Sequence, residues 1–164
     1  MDQTLQDTYG KSFTGRLYAI AVEQLVPLRL SRSSDKWNWG FTPQDDWLMA
    51  GGEASSINLQ FMFDSHTDDR LHYHISLPNS GNPAKRLGLS RNGYLGFYQL
   101  AEVTEYWKVE PLEMTDEGLI CYLRDHQGHR VAALRDEPHH SRQAMYLLNT
   151  QEGEVLTFLL QRNA

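Results

Sequence analysis

The sequence predicts an all-β domain assembled from repeated strand-and-turn units, and three observations lead there. Residues 86–98 read Arg-Leu-Gly-Leu-Ser-Arg-Asn-Gly-Tyr-Leu-Gly-Phe-Tyr, which sets Asn92-Gly93 between alternating apolar residues, the strongest short signal for a β-hairpin. The same phrase occurs once before: Leu28-x-Leu30-Ser31-Arg32 precedes Trp39-Gly40-Phe41 as Leu87-x-Leu89-Ser90-Arg91 precedes Leu95-Gly96-Phe97. Short apolar runs bounded by turn formers then recur along the rest of the chain.

Taken in order, residues 1–14 are polar and are expected to form a flexible N-terminal arm, with a single domain over 15–164. Strands are predicted at 16–22, 27–31 and 37–41. A turn at 43–46 leads to a short run at 47–50, closed by Gly51-Gly52, and 57–63 is the next strand. Residues 71–77 alternate cleanly, placing Leu71, Tyr73, Ile75 and Leu77 on one face and His72, His74 and Ser76 on the other. A loop at 78–85, dense in Asn, Ser, Gly and Pro, precedes the hairpin. Five further strands follow at 106–111, 119–123, 130–134, 144–149 and 155–160, with Gln127-Gly128 and Glu152-Gly153 marking turns. Residues 100–107 and 141–148 also carry helical spacing and could supply one or two short helical turns.

The strands align in threes. Leu17, Leu71 and Leu119 begin equivalent strands, and Phe61, Trp107 and Tyr146 each open an aromatic-x-apolar strand. Leu28-x-Leu30, Leu87-x-Leu89 and Val131-x-Ala133 are followed two residues on by Arg32, Arg91 and Arg135. Units of roughly 40–55 residues lie in the range of repeat architectures, here about residues 15–66, 67–115 and 116–164. On these features the chain resembles the β-trefoil superfamily. The resemblance implies about twelve short strands, six rolled into a barrel and capped by three hairpins, which removes exposed sheet edges. Phe61, Trp107 and Tyr146 become core pillars. The Gln-x-Trp signature of ricin-B-type lectins is absent; the corresponding places read Leu59-Gln60-Phe61, Glu105-Tyr106-Trp107 and Ala144-Met145-Tyr146.

Composition narrows the function classes. A chain of 164 residues can bury a core unaided, and its net charge of −6, with basic residues scattered, offers no footprint for nucleic acid. The longest apolar run, 17–22, is too short to span a bilayer. The first residues lack the pattern of a secretory signal, and one cysteine precludes an intrachain disulfide. These features point to a cytoplasmic protein, or one exported without a recognisable signal peptide.

No residues assemble into a nucleophile elbow, a phosphate-cradling loop or a His-Glu-x-x-His helix, and no cofactor is implied. Cys121 shares a strand face with Leu119 and Leu123 and reads as a buried structural thiol. His72 and His74 have a spacing that metal sites and the cupin His-x-His use, but the downstream cupin ligands are missing. The plainer reading is two imidazoles side by side on a solvent face. His126, His129, His139 and His140 fall in turns and read as surface residues.

The most suggestive surface is aromatic. Trp37, Asn38, Asp45, Asp46 and Trp47 lie close in sequence, and Asn92, Tyr94 and Tyr98 occupy similar positions in the second unit. Ring faces stack on the apolar faces of sugars while amides and carboxylates bind hydroxyls. The expectation is therefore a non-enzymatic, lectin-like binding module for carbohydrate. The alternative is a protein-binding module, an inhibitor or receptor-binding toxin component, acting through loops 78–85 and 136–142. A cupin-like metal-dependent enzyme comes third.

Overall fold

The structure, a computed structural model, describes residues 1–21, 24–31, 47–51, 56–99, 103, 105–134 and 145–163, and for Met145 the backbone alone. The described residues form one helix, α1 (Gln3–Tyr9), and thirteen strands. Six of them close into an antiparallel barrel: β1 (Phe13–Ala21), β4 (Leu59–His66), β5 (Leu71–Ser76), β8 (Trp107–Met114), β9 (Leu119–Arg124) and β13 (Thr157–Arg162). The ring runs from β1 to β4, β5, β8, β9 and β13, and β13 returns to β1.

Period-two patterning explains the barrel wall. In β9, Leu119, Cys121 and Leu123 are buried and their neighbours are half-buried; in β5, Leu71, Tyr73 and Ile75 fill the interior. Phe13 stacks on Phe61 at 4.9 Å, and Tyr73 meets both rings edge-on at 5.6 Å. Offset and edge-to-face contacts of this kind suit the ring quadrupoles. Burial pushes the Cys121 thiol up to about 12, so it is held as an inert, neutral packing group.

Residues 1–14, expected to be a loose arm, are instead tied to the barrel. The Asp2 carboxylate accepts the Thr4 amide at 2.8 Å and caps α1, whose Leu5 and Tyr9 join the core. The Tyr73 hydroxyl donates to the Tyr9 carbonyl. An aromatic and a leucine at i and i+4 are enough to hold a seven-residue helix that could not persist alone.

The remaining strands form a cap. A second sheet runs β2 (Gln24–Leu30), β3 (Leu48–Gly51), β11 (Met145–Asn149), β10 (Ala132–Leu134) and β12 (Glu154–Val155). Beside it stands the hairpin of β6 (Arg86–Leu89) and β7 (Leu95–Tyr98). Its Asn-Gly pair does mark the turn, within a three-residue loop. Ser90 exchanges contacts with Tyr94, Gly93 donates to the Ser90 carbonyl at 3.0 Å, and Gly93 takes φ 85°, which L-residues avoid. Bridges from Trp47 to Gly96 and from Tyr94 to Asn149 join hairpin and sheet.

This architecture corrects the expectation of a β-trefoil of three matching four-strand repeats. The described residues form thirteen strands, and the units are unlike. β1 divides its edge between β4 and β2, the β6–β7 hairpin is in register with barrel strand β5 at the single pair Ser76–Arg86, and the last unit carries the additional strand β12. The proposed repeat register also fails. Phe61 and Trp107 lie on barrel strands, whereas Tyr146, aligned with them, lies on β11 and pairs with Ala50 of β3. An aromatic-x-apolar phrase suits any half-buried strand, so it cannot say which strand it belongs to. Of the suggested helical turns, Val103, Glu105 and Tyr106 are not helical, Trp107 opens β8 and 145–148 lie in β11; residues 100–102, 104 and 141–144 fall outside the described residues. No described helix is long and apolar enough to cross a membrane.

Candidate functional site

A cleft of about 690 Å³ opens between the β6–β7 hairpin, the start of β8 and the turn after β9. Its floor is apolar, with Leu87 and Trp107, and Trp107 is fixed because its indole Nε1–H donates to the Leu87 carbonyl at 2.8 Å. Around the floor stand Tyr98, Tyr106, Arg91, Glu105 and His126. Tyr98 and Tyr106 are half-buried and Glu105 is exposed, so rings and a carboxylate are presented together.

The rim near His126 is built by Asp125, which is 3 % exposed. Its Oδ1 accepts the Gln127 and His129 amides at 3.0 and 2.9 Å, and its Oδ2 lies 3.1 Å from His129 Nδ1. That carboxylate is committed to the turn and positions its neighbours. Arg124 donates to Glu110 Oε1 from Nε at 2.9 Å and to the Gly128 carbonyl from Nη1 at 2.8 Å, tying the same turn to β8.

The structure separates the aromatic residues expected to bind sugar. Trp37, Asn38, Asp45 and Asp46 lie outside the described residues, as does loop 136–142. Trp47, Tyr94 and Tyr98 gather around Gly96, because Tyr94, Gly96 and Tyr98 alternate onto one face of β7. A Cβ at Gly96 would lie 2.9 Å from Trp47 Cδ1 and 3.0 Å from the Tyr98 hydroxyl, so glycine makes room for the indole. Trp47 stacks on Tyr94 with centroids 4.5 Å apart and is only 8 % exposed. Its ring plugs the junction of hairpin and sheet. Asn92 is exposed at the hairpin tip, where its carbonyl accepts from Asn149 Nδ2 at 3.0 Å. Of the predicted residues that are described, Tyr98 alone lines the cleft.

The expected solvent face of β5 is covered. His72 is 5 % exposed because Tyr106 stacks on its ring at 4.5 Å and meets His74 edge-on at 6.4 Å, and Ser76, between Gln60 of β4 and Arg86 of β6, is 4 % exposed. Ser65 Oγ donates to Asp64 Oδ2 at 2.7 Å, which obliges His72 Nδ1, 3.0 Å away, to donate to Ser65. His72 Nε2 is then a bare acceptor, buried without a partner among the described residues. Arg86 Nη1 reaches His74 Nδ1 at 3.3 Å, which places the His74 proton on Nε2, toward Asp64 Oδ1 at 3.8 Å. Burial, then Lys108, lowers the His72 pKa; burial, then Arg86, lowers that of His74. Both imidazoles are therefore held neutral. Among the described residues no three His, Cys, Asp or Glu side chains converge to hold a metal, so the cupin-like pairing of His72 and His74 gains no third ligand. Tyr106 serves both regions, backing onto His72 while lining the cleft.

No family model, curated protein or solved structure matches this chain. The site therefore stands on its own geometry. Sequence reading missed Tyr106, Glu105, Arg91 and His126. One signal for Tyr106 was present: adjacent aromatics in Tyr106-Trp107 cannot both face the core of a strand, so one had to be turned outward. Arg91, Glu105 and His126 come from three separate turns, and no local pattern brings them together.

Proposed function

We propose that the protein is a binding module for carbohydrate, which it takes in the cleft between the β6–β7 hairpin and the turn after β9. The observation that supports this most is the pairing of Tyr98 and Tyr106 with Arg91, Glu105 and His126 around an apolar floor. A pyranose has apolar C–H faces for ring stacking and a rim of hydroxyls that need donors and acceptors at once. Tyrosine rings answer the first requirement, and a guanidinium, a carboxylate and an imidazole answer the second. The cleft volume of about 690 Å³ lies within the range of small-molecule sites.

Titration calorimetry against a panel of neutral and acidic mono- and disaccharides tests the reading. Saturable binding that weakens roughly tenfold or more in both Tyr98→Ala and Glu105→Gln supports it. Absence of binding across a broad glycan array, or binding untouched by both substitutions, overturns it.

A further inference from the structure

A second groove, of about 400 Å³, lies where α1 meets the β4–β5 turn and the end of β8, and shares no lining residue with the cleft. Its floor includes Leu5 of the helix, and its wall carries Leu112 and Met114, which are 48 % and 39 % exposed. Only four large apolar side chains are exposed among the described residues, and these two stand on one groove. The cause is local. The register of β8 against β9 slips between Pro111 and Glu113, so Leu112 lies at a bulge without a cross-strand partner and is turned outward.

The rim is acidic. Asp2, Asp68, Asp69, Glu110 and Glu113 line the groove, and among the described residues no lysine or arginine does. Asp2 caps the helix, Asp69 lies 4.0 Å from Arg70 and Glu110 is paired with Arg124. Asp68 and Glu113 meet no cation among the described residues. Their charge is uncompensated beside an exposed leucine and methionine, in a chain whose net charge is already −6.

From this juxtaposition we propose that the groove is a docking surface for a short cationic amphipathic segment of a partner protein. An aliphatic side chain of that segment covers Leu5, Leu112 and Met114, while flanking lysine or arginine residues pair with Asp68 and Glu113. Neither feature suffices alone: an acidic rim without the apolar floor attracts any polycation, and an exposed apolar pair without the acids attracts any greasy surface. Together they select both properties in one peptide.

The test uses the full chain and a fluorescein-labelled nonapeptide in which lysine and arginine flank two leucines, followed by anisotropy. Two control peptides replace either the leucines by serine or the basic residues by glutamine. The proposal expects saturable binding of the first peptide, weakened roughly tenfold or more in each control and by moderate salt. Leu112→Ser and the pair Asp68→Asn with Glu113→Gln produce similar losses, with unchanged melting because all three positions lie on the surface. Equal binding of the serine control shows charge attraction alone and overturns the proposal. So does unchanged binding in the protein variants. A dimer in sedimentation that Leu112→Ser dissolves assigns the groove to a second copy of the chain and also overturns it. Because the peptide comparison uses unaltered protein, a variant that fails to fold leaves the proposal still decidable, and none of these results bears on the sugar cleft.

Discussion

Barrel and cap bury their residues by different means. The barrel interior is filled by side chains that alternate along each strand, and the Tyr73 hydroxyl inside it donates to the nearby Tyr9 carbonyl. The barrel's buried polar side chains, His72 and Ser76, sit on the outer face of β5, whereas the cap uses buried polar side chains as braces. Arg29 is 2 % exposed, donating from Nε to the Gly51 carbonyl at 2.7 Å and from Nη1 to the Leu30 carbonyl at 2.9 Å. Asn149 is fully buried: Nδ2 donates to Asn92, while Oδ1 accepts the Gln151 and Glu152 amides at 2.7 and 3.2 Å. Short strands with few ladder bonds need such side-chain contacts to hold their loops, whereas a closed ring satisfies its own backbone. The lesson is that the cap, where the candidate sugar cleft lies, owes its shape to a few directional bonds and the barrel to apolar volume.

The largest test of that contrast falls on Trp107, which belongs to both. Trp107→Ala removes a buried indole from the barrel and its bond to Leu87 in the hairpin, and is expected to cost about 3–5 kcal/mol in chemical denaturation. Trp107→Phe keeps most of the volume and isolates the lost bond; a loss equal to that of the alanine variant contradicts the division of labour. Asn149→Ala is expected to cost about 2–3 kcal/mol, because three backbone groups lose a buried partner. Faster amide exchange at Gln151 and Glu152, with barrel amides unchanged, confirms that the damage stays in the cap.

Gly96→Ala is expected to cost about 1–2 kcal/mol, through contact with Trp47 and Tyr98. The accompanying change in tryptophan fluorescence reports displacement of the plug. The smallest effect is one of pH. The folded pKa values of His72 and His74 are lowered, so the unfolded chain binds more protons as pH falls through the ordinary imidazole value near 6.5. Their contribution to stability is complete above that value and shrinks below it, down to the folded pKa values. The melting temperature therefore drops on acidification from pH 7 to pH 5, and His72→Phe makes the drop shallower. An unchanged slope shows that His72 is protonated equally in both states.

The all-β character, the hairpin at Asn92-Gly93 and the buried face of β5 were legible because each rests on neighbours in the chain. Leu71, Tyr73 and Ile75 announce their face by alternation, as Leu119, Cys121 and Leu123 do. The opposite face of β5 was read wrongly as solvent-facing, since nothing beside His72 in sequence signals that Tyr106 will lie on it. The same distance hid the cleft: Tyr98 was marked as a ligand residue, but its companions Tyr106 and His126 come from other turns. Trp47 was marked too, and its meeting with Tyr94 across a glycine turned a candidate platform into packing.

What the amino-acid order determined by itself is the position of most strands among the described residues, the strand expected at 37–41 lying outside them, and for many of these strands which side chains face inward, because backbone sterics and solvent act on adjacent residues. The tertiary structure decided how thirteen strands pair, that six of them close on themselves, that the first residues form a docked helix, and which surfaces gather rings with charges. Those outcomes depend on pairings between residues far apart in the chain, such as Gly15 with Arg162. Period-two alternation is the same whichever strand lies alongside, so the local code is silent on the choice of partner.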